Sequence, residues 1–281
     1  MSYETEFKQR TPEGYRLFEH RWMPDGVPVR GVVVFVHGIV EHAGRYTAFA
    51  ERLNKLGLVV RAYDLRGHGR SEGPRVYVRS FSEHIGDLDR FISSIREEQS
   101  DLPFFLMGHS MGGAIASRWV VDNNPDINGL ILSAPAVLTG RGALPWFRHL
   151  ALIGNIVCPQ LKVLKLGVGG LSRDPAVREE FAEDPLVYHE KFAVRMGIEV
   201  LKAGRYLRHR LELIRVPVLG LHGTKDLATN PRGTRALCET ATSDDATFIS
   251  YEGFYHDLLH EPDREQVLGD IESWIIRRLP S

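Results

Sequence analysis

Short apolar runs alternate with segments of helical periodicity along most of the chain. The first run, Val32-Val33-Val34-Phe35-Val36, is apolar on both faces and rich in β-branched residues, which is typical of a buried strand in a parallel sheet. The six predicted strands span residues 32–36, 58–63, 103–107, 129–134, 216–222 and 246–251. The predicted helices span 46–56, 81–99, 111–123, 231–240 and 265–279. This alternation predicts parallel βαβ units with helices on both faces of one sheet.

Two regions depart from this alternation. At the amino terminus, two strand-like segments, 4–10 and 15–22, flank Thr11-Pro12-Glu13-Gly14, and this turn sequence predicts an antiparallel hairpin. From 137 to about 205 the apolar spacing is helical and no clear strand is visible. We therefore predict a mostly parallel α/β core of residues 1–136 and 206–281, with a helical cap of residues 137–205 inserted into it.

Composition limits the classes of function. The 281 residues carry a net charge of −1, so the clustered basic excess expected of a nucleic-acid-binding protein is missing. The two cysteines, Cys158 and Cys238, are expected to be free thiols, which fits a reducing compartment. We see neither a secretory signal nor the ~18 uninterrupted apolar residues of a membrane span. We expect a cytoplasmic protein with no nucleic-acid partner, and the oligomeric state stays open.

One serine lies where a nucleophile would be exposed. Gly108-His109-Ser110-Met111-Gly112 fits G-x-S-x-G, directly follows a predicted buried strand and opens a predicted helix. The sharp turn would put Ser110 in strained backbone geometry, and a side chain at Gly108 or Gly112 would crowd it. A serine that only caps the helix is the alternative. The strand–turn–helix setting favours a catalytic nucleophile.

A serine hydroxyl needs a base, usually a histidine held by a carboxylate, and in this arrangement the chain order is serine, acid, histidine. Asp226 and His256 each follow a late predicted strand in a glycine-containing loop, at the sheet edge where active sites gather. The rivals are weaker: Asp244 and Asp245 precede a strand, and Asp257 would face away if His256 faces in. We predict the triad Ser110, Asp226 and His256.

The tetrahedral intermediate of ester cleavage needs two backbone N–H donors. We assign them to Met111, which follows the nucleophile, and to Ile39, in the loop after the first buried strand. His37 then orients that loop or is a core histidine.

These segments resemble the monoacylglycerol lipases and their lysophospholipase-like relatives, which have the α/β-hydrolase fold. The resemblance rests on five stretches: His37 to Tyr46 (H-G-x-x-E-H-x-x-R-Y), Asp64 to Ser71 (D-x-R-G-H-G-x-S), the G-H-S-M-G turn, and the loops at 222–226 and 251–256. It covers the chain from about Arg16 to the end and is weaker at the predicted cap, where Asp184-Pro185-Leu186 matches. Ile39-Val40 departs from the smaller residues common in relatives, which affects the pocket beside the oxyanion hole.

The resemblance implies hydrolysis of a monoacylglycerol to glycerol and a fatty acid, a cap over the site and no cofactor or metal. Glu41, His42 and Arg45 would then bind a polar head group such as glycerol, or else organise their loop. Arg66 and His68 are interpreted as scaffold.

The predicted cap is strongly apolar, and such a surface could line an acyl pocket or contact a membrane peripherally. Its large apolar residues are Leu144, Trp146, Phe147, Leu150, Leu152, Ile153, Ile156, Val157, Leu161, Val163, Leu164 and Leu166. We expect a lipid-like ester substrate. Two alternatives stay open: a lysophospholipase, and another α/β-hydrolase, such as a small-ester carboxylesterase, that uses the same triad on a small ester, peroxide or lactone.

Two further classes of function fit the sequence less well. His256-Asp257-Leu258-Leu259-His260 imitates a zinc-protease H-E-x-x-H, but aspartate replaces the glutamate and no third ligand is evident. A non-catalytic ligand-binding protein is also conceivable, although such relatives often lose a member of the triad and this chain keeps all three.

Overall fold

The computed structural model describes residues 2–99, 101–139 and 158–280, and most of its strands form one sheet. The strands are β1 Ser2–Arg10, β2 Arg16–Met23, β3 Gly31–Val36, β4 Leu58–Tyr63, β5 Phe104–His109, β6 Gly129–Ser133, β7 Lys162–Leu164, β8 Phe192–Ala193, β9 Val218–Gly223 and β10 Ala246–Tyr251. Eight of them lie side by side in the order β1-β2-β4-β3-β5-β6-β9-β10. The six predicted strands and the hairpin are therefore confirmed.

The parallel part of the sheet is buried because its sequences are apolar on both faces. All six residues of β3 are buried, and Val33 pairs with Val60 on one side and with Phe105 on the other. The amino-terminal hairpin is antiparallel, with Phe7 opposite Phe18, and β2 also pairs antiparallel with β4. The α/β-hydrolase fold is thus confirmed, with a mostly parallel sheet and an antiparallel edge.

Helices cover both faces of the sheet. The helices of the described residues are α1 Thr47–Asn54, α2 Ser82–Glu98, α3 Met111–Asn123, α4 Pro175–Glu183, α5 Val194–Arg208, α6 Pro231–Thr240 and α7 Arg264–Ile276, of which α4 and α5 belong to the predicted cap. One core cluster joins Phe49 of α1 and Trp274 of α7 to one face of the sheet. The other cluster joins Phe91 of α2, Trp119 of α3 and Leu237 of α6 to the opposite face. The predicted two-sided packing is confirmed.

The region between β6 and β9 differs from its prediction. The sequence showed no strand there, but β7 and β8 pair antiparallel as a small separate sheet. Strands of three and two residues are too short to produce a readable alternation. Helix α5 continues to Arg208, past the predicted boundary at 205/206. The division into core and cap stays a prediction, and Leu144, Trp146, Phe147, Leu150, Leu152, Ile153, Ile156 and Val157 lie outside the described residues.

This region meets the loop after β3 through two hydrogen bonds. The Tyr188 amide donates to the Val40 carbonyl at 2.8 Å, and His42 Nε2 lies 2.8 Å from Asp184 Oδ2. Within the described ranges, no helix is long and apolar enough to cross a membrane. Both cysteines are free, as predicted, with Cys158 exposed and Cys238 buried.

Candidate active site

Ser110 sits on the turn between β5 and α3 with the strained backbone that the sequence predicted. Its φ is +54° and its ψ −119°, a conformation that costs free energy for any residue with a side chain. The turn is tight because a Cβ at Gly108 would lie 2.4 Å from the Gly112 carbonyl oxygen. A Cβ at Gly112 would lie 2.1 Å from the carbonyl oxygen of Val36 on the neighbouring strand. Only glycine fits at these two positions.

The structure brings Ser110, His256 and Asp226 into one hydrogen-bonded chain. His256 Nε2 lies 2.8 Å from Ser110 Oγ, across 146 residues of sequence. Its other nitrogen, Nδ1, lies 2.7 Å from Asp226 Oδ2. All three residues are less than 10 % exposed and follow the carboxyl ends of β5, β9 and β10. This is the geometry in which an imidazole can take a proton from an alcohol while a carboxylate holds the ring.

The Asp226 carboxylate is held by its own loop. Oδ1 accepts the amide N–H groups of Ala228 at 2.7 Å and Thr229 at 3.0 Å, and the Thr229 hydroxyl lies 2.8 Å from Oδ2. Burial by itself raises the pKa of Asp226, but attraction to His256 and the hydrogen bonds from His222 and His256 bring it well below its usual value. The carboxylate therefore stays ionised. The sequence analysis did not identify Thr229, although an aspartate in a loop commonly binds the backbone N–H two residues on, as Asp226 does with Ala228.

The imidazole of His256 is tuned by its neighbours. Burial by itself lowers the pKa of His256. The Asp226 carboxylate, together with the negative charges of Asp257 and Glu41, outweighs burial and raises the pKa above its usual value. The ring of His109 packs 4.8 Å from that of His256. Burial and the nearby His256 lower the pKa of His109 to about 4, so this second imidazole is neutral when His256 titrates.

The two predicted oxyanion donors flank the serine. Met111 is the first residue of α3, so its N–H is among those without an intrahelical acceptor. Ile39 lines the cavity beside Ser110, and a Cβ at Gly38 would lie 3.2 Å from Ser110 Cβ. The loop after β3 thus lies directly against the nucleophile. Val40 has a φ of +65°, so this loop is also held in an unfavourable conformation.

A buried ion network stabilises that loop. Glu41 Oε1 accepts the Gly38 amide at 2.6 Å and the Tyr46 hydroxyl at 2.9 Å, while Oε2 binds Arg45. Arg45 also contacts Asp257 at 3.1 Å. Burial by itself raises the pKa of Glu41, but the charge of Arg45 outweighs it and lowers that pKa. Burial by itself lowers the pKa of Arg45, but the carboxylates of Asp257 and Glu41 outweigh it and raise that pKa. These groups are charged partners of one another.

The three residues predicted to bind a head group are therefore already occupied by protein contacts. Glu41 and Arg45 belong to the ion network, and His42 contacts Asp184. Of the three, only Glu41 lines the cavity at Ser110. Their contribution to head-group binding stays a prediction.

The rival residues lie elsewhere. Asp245 immediately precedes β10, at the opposite end of the strand from His256, and contacts Arg278. Asp257 faces Arg45 and His260 rather than the serine. His260 contacts Asp257 at 2.8 Å and the Arg45 carbonyl at 3.1 Å, so it and His256 engage different partners. Among the described residues, no group of three or more His, Cys, Asp or Glu side chains could hold a metal ion.

The residues interpreted as scaffold are engaged in buried contacts with other parts of the protein. His37 Nε2 accepts the Leu65 amide at 2.8 Å and Nδ1 lies 2.8 Å from the Gly38 carbonyl, so His37 braces the loop after β3. Arg66 forms a buried bidentate pair with Asp87. Burial lowers the pKa of His68 to about 3.

An apolar cavity of about 270 Å³ opens beside Ser110 and His256. Most of its apolar lining comes from the predicted cap: Leu164, Leu166, Leu171, Phe181, Phe192, Val194, Ile198, Val200 and Leu201. Leu164 and Leu166 line this cavity, as expected from the apolar sequence of the cap, whereas Leu161 and Val163 are exposed. Such a cavity suits an aliphatic chain rather than a charged ligand.

The chain is similar to known proteins over most of its length. The family model for serine aminopeptidase, S33, matches residues 27–263. A monoacylglycerol lipase of Mycolicibacterium smegmatis is 36% identical over 266 residues, which cover 95% of each chain. Human monoglyceride lipase is 35% identical over 95% of this chain and 88% of its own. The crystal structure of Paleococcus ferrophilus monoacylglycerol lipase is 33% identical and superposes with a TM-score of 0.83 over 93% of this chain and 99% of that one. The chain therefore belongs to the serine aminopeptidase S33 family of α/β-hydrolases.

Proposed function

We propose that this protein hydrolyses carboxylic esters of lipid-like alcohols, foremost monoacylglycerols, to the free alcohol and a fatty acid. The observation that carries the proposal is the hydrogen-bonded chain from Ser110 Oγ through His256 to Asp226, at 2.8 and 2.7 Å, beside an apolar cavity. Relatives whose names specify monoacylglycerol hydrolysis support the choice of substrate.

In the first half-reaction, Ser110 Oγ attacks the ester carbonyl carbon while His256 Nε2 takes the hydroxyl proton. The carbonyl oxygen becomes an oxyanion that accepts hydrogen bonds from the Ile39 and Met111 amides. As the carbon–oxygen bond to the alcohol breaks, His256 returns the proton to the departing alcohol oxygen, and the acyl group stays on Ser110.

In the second half-reaction, water attacks the acyl-enzyme. His256 takes a proton from the water, and the same two amides stabilise the second oxyanion. The bond to Ser110 Oγ breaks, His256 protonates that oxygen, and the fatty acid leaves. Asp226 holds the ring and stabilises the imidazolium in both halves. These steps need no metal or cofactor.

The acyl chain fits the apolar cavity. Burial of each methylene contributes roughly 0.8 kcal/mol, so a long chain supplies much of the binding free energy. Exposed apolar side chains of the predicted cap, Leu161 and Val163, and Leu227 beyond β9, would let a lipid surface contact the protein peripherally.

One panel of substrates tests the proposal. Monoacylglycerols, diacylglycerols, lysophospholipids and p-nitrophenyl esters of graded length are hydrolysed by the wild type and by Ser110→Ala. We expect the highest kcat/KM for a monoacylglycerol, and a loss of about 10⁴-fold or more in the variant without unfolding. A wild-type rate in the variant would contradict the assignment of Ser110 as the nucleophile. Preference for a lysophospholipid or for the shortest esters would contradict monoacylglycerol as the proposed substrate.

A further inference from the structure

A second histidine touches the carboxylate of the proposed triad. His222 lies near the end of β9 and is fully buried, and its Nε2 lies 3.1 Å from Asp226 Oδ2. His256 Nδ1 binds the same oxygen at 2.7 Å. One carboxylate oxygen is therefore flanked by two imidazoles.

The hydrogen-bond partners of His222 define its tautomer. His222 Nε2 faces Asp226 Oδ2 and also lies 3.3 Å from the Thr229 hydroxyl oxygen, which itself contacts Oδ2. Asp226 is ionised and can only accept, and a nitrogen lone pair facing it would be repelled, so Nε2 carries the hydrogen, which Asp226 and Thr229 share. The opposite nitrogen, Nδ1, lies 2.7 Å from the Thr234 hydroxyl, which is buried at the start of α6. With Nδ1 accepting that hydroxyl hydrogen, both ring nitrogens are satisfied in one neutral tautomer. Thr234 thus orients a donor toward the triad.

We propose that His222 is a positioning residue for ester hydrolysis, which holds Asp226 Oδ2 in place and limits the negative charge that this oxygen presents to His256. The proposal rests on the proposed function of the triad. A carboxylate with an additional donor stabilises an imidazolium less strongly, because part of its charge is already engaged. His222 therefore holds the rotamer of Asp226 and moderates the basicity of His256 at the same time.

The surroundings allow this effect to be isolated. Asp257, Glu41 and His109 also act on His256, and none of them contacts His222, so we expect them to stay in place when residue 222 is changed. The remaining contacts of Asp226, from Ala228 and Thr229, also persist, so the carboxylate does not become unpaired.

The test compares His222→Leu, His222→Gln and Thr234→Val by their pH profiles of kcat/KM on p-nitrophenyl butyrate. Leucine removes the donor, so we expect kcat to fall about tenfold, as when other groups that orient catalytic residues are removed. The acid limb of the profile, where kcat/KM falls at low pH, should move to higher pH by about half a unit. The carboxylate facing His256 is then less neutralised and stabilises the imidazolium more strongly, which raises the pKa of His256. Glutamine, whose amide nitrogen replaces Nε2, should restore both properties. Thr234→Val should shift the limb in the same direction by a smaller amount.

The matched control is His84→Leu, because His84 is equally buried but packs against His68 and Phe81, away from the triad. It should leave the pH profile unchanged. An unshifted or lowered acid limb in His222→Leu, or a loss of kcat that glutamine does not rescue, would overturn the proposal. If His222→Leu does not fold, the same readouts on His222→Gln and Thr234→Val decide. Ser110→Ala on the same ester tests the proposed function separately.

Discussion

The carboxylate of Glu41 accepts the amide N–H of Gly38 at 2.6 Å, and this single bond ties the loop that carries Ile39 to the buried ion network. Since Gly38 also lies against Ser110, the position of the Ile39 amide depends on Glu41.

Glu41→Gln should therefore lower kcat more than it raises KM. The neutral glutamine amide would direct N–H groups at Arg45, so the ion pair between positions 41 and 45 would be lost. The loop would then hold the Ile39 amide, the proposed oxyanion donor, less well in place. We expect kcat to fall about ten- to a hundredfold and the free energy of unfolding to drop by about 1–3 kcal/mol. Steady-state kinetics and urea unfolding measure the two effects.

The exposed Glu51 of α1 provides the control for this substitution. Glu51→Gln should change neither kcat nor stability. A Glu41→Gln enzyme whose only defect is a higher KM would point instead to head-group binding by Glu41.

The pH dependence follows from the raised pKa of His256. The imidazole acts as a base only when neutral, and its neutral fraction falls as the pH falls through its pKa. Because that pKa is raised, kcat/KM should decline below a midpoint that lies above the ordinary histidine value of about 6.5. His109, with a pKa of about 4, stays neutral throughout this range. A rate profile from pH 5 to 9, with circular dichroism at each pH to exclude unfolding, measures the midpoint. A profile that stays flat down to pH 5 would contradict the assigned base.

The tight turn at the nucleophile predicts a steep stability cost at Gly112. In Gly112→Ala the new methyl would meet the Val36 carbonyl oxygen at 2.1 Å, so the strand or the helix must shift. We expect a loss of at least about 1–3 kcal/mol in the free energy of unfolding.

Gly269 provides the control, because it lies inside α7 and a Cβ there would meet nothing within 4 Å. Gly269→Ala should raise stability by about 0.5–1 kcal/mol, since alanine is the better helix former. Thermal unfolding of both variants gives the comparison. Equal stability of the two would show that the turn at Ser110 is not as constrained as its geometry indicates.

The cavity predicts a dependence on acyl length. Each added methylene that enters it should raise kcat/KM up to about fourfold, until the chain reaches the end of the cavity. Val194→Phe puts a larger side chain on the cavity wall and should shorten the preferred chain. Val163→Phe, on an exposed position of β7, should leave the preference unchanged. Rates on an ester series are measured for the wild type and both variants. If all three proteins prefer the same acyl length, the acyl chain does not bind in this cavity.

Much of the core could be predicted from local patterns. The β5–turn–α3 segment needed only its own residues: an apolar strand, two glycines and a serine at fixed spacing. The hairpin and the parallel strands followed in the same way, because a strand buried on both faces must be apolar at every position. Strands β7 and β8 did not, since they exist only as a pair brought together across 27 residues of intervening chain.

Local patterns are enough to predict the residue types that the chemistry requires, their order along the chain and the strand ends they follow, because these depend on periodicity and turn residues within a few positions. Which distant side chains meet follows from the three-dimensional packing. That Arg45 pairs with Asp257, that Glu41 holds Gly38 and that His222 shares an oxygen with His256 depends on how the loops pack above the sheet. Many partners of the right charge and size exist in the sequence, and only packing in three dimensions selects among them.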